Sequence, residues 1–339
     1  MLRALTPLRL ASAGLIVLVA TIVLLLTRST DQYLEIPDEA HPLQGLVKVP
    51  NAQPEQDGGD IYYVDIIVKR ASLLESLLPV VRPDGSDLVE REVIVQPGLT
   101  EEQRIDFQLA LMKISQQVAS VVALRELGYE VPVRAGGVRV VSVSPGTDAV
   151  GKLRRDDVIV AANGRPVRER ADLAAVVERR PIGAPVRLGV RRGDRRITVT
   201  LRTSADKSDP TRPIVGVLAL PALGVRFPFA ISFDLGKVGG PSAGLAFALE
   251  LLEQRGRDID QGYKVAATGE IRLDGKVGRI GGIKQKTFGA REAGVDVFLV
   301  PSDGDNAREA KRYAKDLRII PVESFQQALR ALATLPPKR

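Results

Sequence analysis

The chain has 339 residues, 45% of them apolar and 26% charged, with one histidine and no cysteine. This length and mixture fit two or three folded domains and exclude a disordered chain; the lack of cysteine excludes disulfides, thiolate metal sites and cysteine nucleophiles, and suits an extracytoplasmic protein without oxidative folding. The net charge of +7 sits partly in clusters at 153–157, 178–180 and 191–196 that hold no aromatic residue, so they read as solvated faces and not as a nucleic-acid surface.

The first element is an uncharged run of eighteen residues, LASAGLIVLVATIVLLLT, at 10–27. As a helix it is about 27 Å long, close to the ~30 Å hydrocarbon core of a bilayer. Arg3 and Arg9 precede it, and Asp31, Glu35, Asp38 and Glu39 follow with only Arg28 against them. That asymmetry puts the N-terminus in the cytoplasm and the rest outside a cell membrane crossed once. No small-x-small cleavage site follows the run, which favours an uncleaved anchor over a signal peptide. Residues 1–30 are therefore expected to be the cytoplasmic N-terminus and a transmembrane helix. Residues 31–58, rich in Pro, Gln, Asp and Glu, read as a tether, and His41 within them as a solvated linker residue.

The stretch 59–70, GDIYYVDIIVKR, predicts a strand, 72–79 a short helix stopped by Pro79, and REVIVQP at 91–97 another strand. Thr100 and Gln103 make a Thr-x-x-Gln capping box for a helix running to about Leu127, with Gly128 as its C′ residue. From 128 to 203 the order is strand, turn, strand, Asn163-Gly164 turn, helix, and a hairpin turning at Gly193-Asp194. That order, centred on DDVIVAANGRPV, resembles a bacterial-type PDZ domain, although Asp156 stands where that family usually has glycine. The resemblance implies an extended peptide added as a strand in a groove beside a helix. Mapped onto this chain, the loop is 135–137 with Gly136 and Gly137, the edge strand 138–143 with Val138 and Val140, and the helix 171–179 with Leu173 and Val177 facing the groove; the plain alternative is that these side chains are core. Residues 204–213 read as a polar linker.

The third texture, 214–335, contains KVGGPSAGLAFALELLEQ, where Ser242 stands between a diglycine and a helix whose Leu245, Ala248, Leu249 and Leu252 share one buried face. Pro241 and Ser242 are expected to begin that helix. Its free amides and positive dipole end suit three roles for the serine: helix cap, anion holder, or nucleophile beside an oxyanion hole. With the one histidine expected in the tether, the base left for a nucleophile is a neutral lysine in apolar, glycine-rich surroundings. GGIKQK at 281–286 offers Lys284 and Lys286, whose side chains point about 200° apart on a helix, so at most one faces a site; spacing does not choose between them.

GPSAG at 240–244, TGE at 268–270 and GGIKQK at 281–286, in that order, resemble the proteolytic domain of the Lon family over about 214–335. The resemblance implies a Ser-Lys dyad: Ser242 as nucleophile, Lys286 as general base and Thr268 hydrogen-bonded to the lysine, with backbone amides of Ser242 and Ala243 holding the oxyanion. Gly239 departs from the family, which commonly has an aspartate there. The sequence has no G-x-x-x-x-G-K-[ST] and thus no ATPase signature. As a whole the chain resembles membrane-anchored, PDZ-containing Lon-like proteases: an α+β protein whose body, 59–127 and 214–335, flanks a PDZ domain at 128–203. The implied function is an ATP-independent serine endopeptidase acting on unfolded or extended envelope proteins chosen through the PDZ domain, with no metal or cofactor and with a hexameric ring as the implied assembly. The rival readings are a catalytically degenerate scaffold that binds envelope proteins, and a phosphate-binding enzyme using GGPSAG.

Overall fold

The computed structural model describes residues 7–53, 58–96, 98–207, 209–336 and 338. In chain order the helices are α1 (Pro7–Thr27), α2 (Leu73–Leu77), α3 (Arg91–Ile94), α4 (Glu101–Glu126), α5 (Arg170–Val177), α6 (Gly244–Glu253), α7 (Ile283–Glu292), α8 (Asn306–Tyr313) and α9 (Phe325–Ala333). The fold is mixed α and β, as expected.

A five-stranded sheet carries the half that holds Ser242, Thr268 and Lys286. Strands Asp60–Tyr63, Lys264–Ala267, Val297–Pro301 and Arg318–Val322 run parallel, and His41–Pro42 adds an antiparallel edge. Because strand side chains alternate between faces, Val265, Ala267 and Leu299 join a core with α4, α6 and α9, while Ala266, Phe298 and Val300 join a second core with α7 and α8. The sheet is thus buried on both sides, which is why its strands read as continuous apolar runs.

Several local expectations are corrected. Within the expected tether 31–58, of which 54–57 lie outside the described residues, the part up to residue 48 is not irregular: Ser29–Pro37 is the central strand of a sheet with Ile66–Ser72 and Asp87–Val89, and Val47–Lys48 pairs with Ser232–Phe233. The segment is also pressed onto α7: the Ala40 N–H donates to the Gly289 carbonyl at 3.2 Å, and a Cβ on Gly289 would collide with the Asp38 backbone. The expected strand 59–70 is two strands in two sheets, broken at Val64-Asp65. Of the expected strand at 91–97, residues 91–94 form the one-turn helix α3 instead, with Glu92 in its first turn and Val93 70% exposed, and Pro97 lies outside the described residues. The capping box is present as expected, with Thr100 accepting from the Gln103 N–H and the Gln103 side chain accepting from the Thr100 N–H, and Gly128 takes φ 85°.

The second sheet has the order Arg195–Arg202, Pro185–Arg192, Val158–Ala162, Val133–Val143, Val217–Val225. The turns fall at the expected residues: Asn163 and Gly164 both have positive φ, and Arg192 pairs with Arg195 across Gly193-Asp194. Asp156 adopts φ 66° itself, a left-handed conformation aspartate tolerates better than most residues, and its carboxylate pairs with Arg139 at 3.2 Å. The glycine-to-aspartate departure therefore leaves the turn in place.

The expected peptide-binding edge is not an edge. Strand Val133–Val143 lies between Val158–Ala162 and Val217–Val225, and its backbone is paired on both sides at 138–140. Val138 and Val140 are fully buried. Gly136 and Gly137 serve close packing, since a Cβ on either would meet the Ala222 or the Ile159 carbonyl oxygen at 2.7 and 2.5 Å. The outer strand of this sheet is Val217–Val225. Between it and α5 runs a groove of about 590 Å³, lined by Leu173, Ala174, Val177, Ile214, Val215 and Val217. Leu173 and Val177 do face a groove, and Val138 reaches its floor; Gly136, Gly137 and Val140 do not line it.

Candidate active site

Ser242 and Lys286 arrive from opposite faces of the parallel sheet. Ser242 precedes α6 on one face, Lys286 sits on α7 on the other, and they meet beyond the carboxyl ends of the strands. Lys286 Nζ lies 2.6 Å from Ser242 Oγ and 3.2 Å from Thr268 Oγ1. Thr268, the residue after strand Lys264–Ala267, donates its hydroxyl proton to the Ser242 carbonyl at 3.2 Å, so it must accept from the lysine. The Gly269 N–H donates to the same carbonyl at 2.7 Å.

Ser242 is not a helix cap. The helix starts two residues later than expected, at Gly244, with Ala243 in the cap position and no side-chain cap bond. The hydroxyl is thereby left to Lys286. The N–H groups of Ser242 and Ala243, at the positive end of α6, have no backbone acceptor among the described residues.

Burial separates the two lysines. Lys284 is only partly buried, donates to Asp87 Oδ1 at 2.7 Å and lies over the Tyr313 ring. Lys286 is 3% exposed, and burial pulls its pKa down to about 8, against a smaller opposing pull from the Asp65 carboxylate. A depression of this size raises the neutral amine present at neutral pH by on the order of 100-fold.

Asp65 lies outside the sequence motifs. It follows strand Asp60–Tyr63, next to Lys264–Ala267 in the sheet, and lines the same cleft as Ser242 and Lys286, about 640 Å³ in volume. Burial and the Asp38 carboxylate push its carboxyl up, with His41 and Lys286 opposing; one carboxylate oxygen is buried without a hydrogen-bond partner among the described residues. The signal that could have found it is an acid interrupting the apolar run IYYVDIIV. His41 is half-buried, 3.4 Å from Asp38 and 3.9 Å from Asp65, and packs on Tyr63 with ring centroids 5.4 Å apart; it is not a solvated linker residue. Asp38, His41 and Asp65 bring one ligand-type atom each within 4.8 Å of one another, the nearest arrangement to a cation site beside the cleft.

Helix α4 fixes the serine loop. The Gly240 N–H donates to the Gln108 carbonyl at 2.8 Å, and the Ser115 hydroxyl donates to the Pro241 carbonyl at 2.9 Å. Gly239 packs against the same helix: a Cβ there would lie 2.8 Å from Gln108 Cβ. This contact explains why no acid stands at this position, because a larger side chain has no room unless α4 moves.

Ser242 thus stands beside a buried lysine at the end of a parallel sheet, in a chain that also has a sheet-and-helix domain with an open groove. Residues 236–334 match the Lon protease (S16) C-terminal proteolytic domain, and residues 125–203 match a PDZ domain. The chain carries both domains. The Lon protease of Mesomycoplasma hyopneumoniae (strain 232) is 38% identical over 90 residues, covering 26% of this chain and 10% of that protein. That of Chloroflexus aggregans is 37% identical over 100 residues, covering 28% and 12%. The chain thus spans about a tenth of the length of these relatives. Among solved structures, the PDZ domain of the SdrC-like protein of Listeria monocytogenes is 22% identical over 25% of this chain and 87% of its own, with a TM-score of 0.23.

Proposed function

We propose that the protein is an ATP-independent serine endopeptidase with a Ser242–Lys286 dyad. The single observation that carries this reading is the 2.6 Å contact between Ser242 Oγ and the Nζ of a buried lysine. Neutral Lys286 takes the Ser242 proton as Oγ attacks a peptide carbonyl. The amides of Ser242 and Ala243 receive the oxyanion. Lys286 then protonates the leaving amine, and water hydrolyses the acyl-enzyme. Thr268 orients the amine by accepting a hydrogen bond from it and ties it to the serine backbone. Substrates are unfolded or extended polypeptides, which the open cleft admits as strands. The groove between α5 and Val217–Val225 recruits them by adding a strand to that free edge; Leu173, Val177 and Ile214 offer apolar contacts and Arg170, Glu178, Lys207 and Arg212 charged ones.

The N-terminal helix α1 anchors the enzyme, with the folded part on the far side of the membrane. Its support is exposure: the side chains of 11–27 are solvent-facing except Leu25, as expected of a helix whose partner is lipid. Helix α4 also has the length and apolarity of a span, but ten of its side chains are buried in the body. The test is cleavage of a fluorogenic unfolded protein by the full chain and by Ser242→Ala and Lys286→Ala. Both variants are expected to lose activity to background; equal cleavage by all three refutes the dyad.

A further inference from the structure

Outside α1, the exposed large apolar side chains among the described residues fall mainly into two groups, one along the active-site cleft with Val93 and Ile105 and one on α2 beside the anchor. Seven of the nine, Ile67, Leu77, Leu78, Val80, Val81, Val93 and Ile105, lie between residues 67 and 105. Four of them form one continuous ridge at the end of α2 and the following 3₁₀ turn, Pro79–Val81, with Leu77 62% and Val80 88% exposed. A run of this kind on a water-facing surface is costly and marks a contact surface.

The ridge is rigid and tied to the anchor. Helix α2 packs against α1. The Leu73 N–H at its first turn donates to the Arg28 carbonyl at 2.7 Å, one residue beyond α1. Ser72 and Glu75 form a reciprocal capping box, and the Arg82 guanidinium closes the far end by donating to the Glu75 and Ser76 carbonyls at 2.6 and 3.0 Å. Around it Arg28 and Arg70 are exposed, while Lys69 is paired with Glu75 at 2.8 Å; an apolar wedge flanked by exposed arginines suits lipid headgroups.

We infer that residues 77–81 insert into the surface of the same bilayer that holds α1, as a second membrane contact. The inference rests on the anchor reading above. It fixes the orientation of the protease. Strand Ile66–Ser72 runs from the active-site cleft, lined by Ile66 and Val68, to the anchor end, a span of about 20 Å at ~3.3 Å per residue. The serine is thereby held close to the membrane surface, over membrane-proximal stretches of polypeptide.

The chain has no tryptophan, so single substitutions report one site each. Full-length Val80→Trp, Leu77→Trp, Ile16→Trp in the anchor and Ile182→Trp on the second sheet's domain are reconstituted in phosphatidylcholine–phosphatidylglycerol vesicles with brominated acyl chains. Bromine at shallow positions is expected to quench the indole of Val80→Trp and of Leu77→Trp about twofold or more, and both indoles are expected to be shielded from aqueous acrylamide. The Ile16→Trp protein is quenched by deep bromine, and the Ile182→Trp protein responds to acrylamide alone. Quenching in Ile16→Trp, with an unquenched and acrylamide-accessible indole in Val80→Trp, overturns the wedge and leaves the anchor standing. Absence of quenching in Ile16→Trp refutes the anchor itself and the wedge with it. An indole in Val80→Trp that is shielded from both quenchers assigns the ridge to a second copy or a protein partner and overturns the lipid assignment.

Discussion

Gly239→Ala adds one methyl group three residues before the proposed nucleophile. The new Cβ lies 2.8 Å from Gln108 Cβ and 3.2 Å from the Gln108 carbonyl carbon. Ordinary carbon contacts are about 3.5–4.0 Å, so loop or helix must give by roughly 0.7 Å. The loop cannot slide freely, because Gly240 and Pro241 are both hydrogen-bonded to α4, at 2.8 and 2.9 Å. Most of the displacement is therefore passed to Ser242. A misplacement of about 1 Å in a reacting group costs on the order of 100-fold, so a loss of roughly 10- to 100-fold in kcat/KM is expected, with overpacking costing about 1–3 kcal/mol of stability. The assay is cleavage of an unfolded protein at about pH 9, where Lys286 is mostly neutral, beside a thermal melt of each variant. Gln108→Gly removes the closest contact, and in a double-mutant cycle it is expected to recover much of the loss. A Gly239→Ala enzyme with undiminished kcat/KM, or a folded double variant with no recovery, refutes the packing account.

Three other outcomes follow from the structure. Thr268→Val leaves the buried amine short of an acceptor and should cut kcat/KM about 10-fold or more, at about 1–3 kcal/mol for an unmade buried bond, whereas Thr268→Ser restores it; equal loss in both variants would count against the hydrogen bond. The Asp65 carboxylate raises the Lys286 pKa, so Asp65→Asn should move the rising limb of the pH–rate profile from about 8 to lower pH; a move upward contradicts the coupling. Asp157 is 1% exposed, holds Arg192 through two bonds of 2.7 and 2.8 Å and accepts from the Arg154 N–H; Asp157→Ala strands a partly buried guanidinium and should cost the second sheet's domain about 3–5 kcal/mol in a urea melt, and a loss under about 1 kcal/mol would show that the pair is dispensable.

What is legible in the sequence depends on how local the information is. Ser242, Thr268 and Lys286 each sit in a short motif; the choice between Lys284 and Lys286, open to spacing, follows from the family resemblance, and Lys286 is the buried one of the two. The helix Glu101–Glu126 is legible because its cap, length and terminal glycine are all local signals. Long-range pairing is not. Residues 217–225 lie beyond the linker after the expected domain, yet they cover the strand that the sequence alone offers as the groove edge, so the groove lies one strand further out. Residues 31–58 look like a tether because their short strands find partners far along the chain. The stretch 91–96 has strand composition but pairs with no strand among the described residues, and its first four residues close into a turn of helix instead.

Activation of Ser242 by a neutral, buried Lys286 is tested most directly by the rate at which a fluorophosphonate modifies the full chain between about pH 6 and 10, with the adduct located by mass spectrometry. A single adduct on Ser242 is expected, forming faster as pH rises through about 8, and slowed by on the order of 100-fold or more in Lys286→Met. An adduct on another residue, or a rate in Lys286→Met that matches the wild type across this range, would contradict the account.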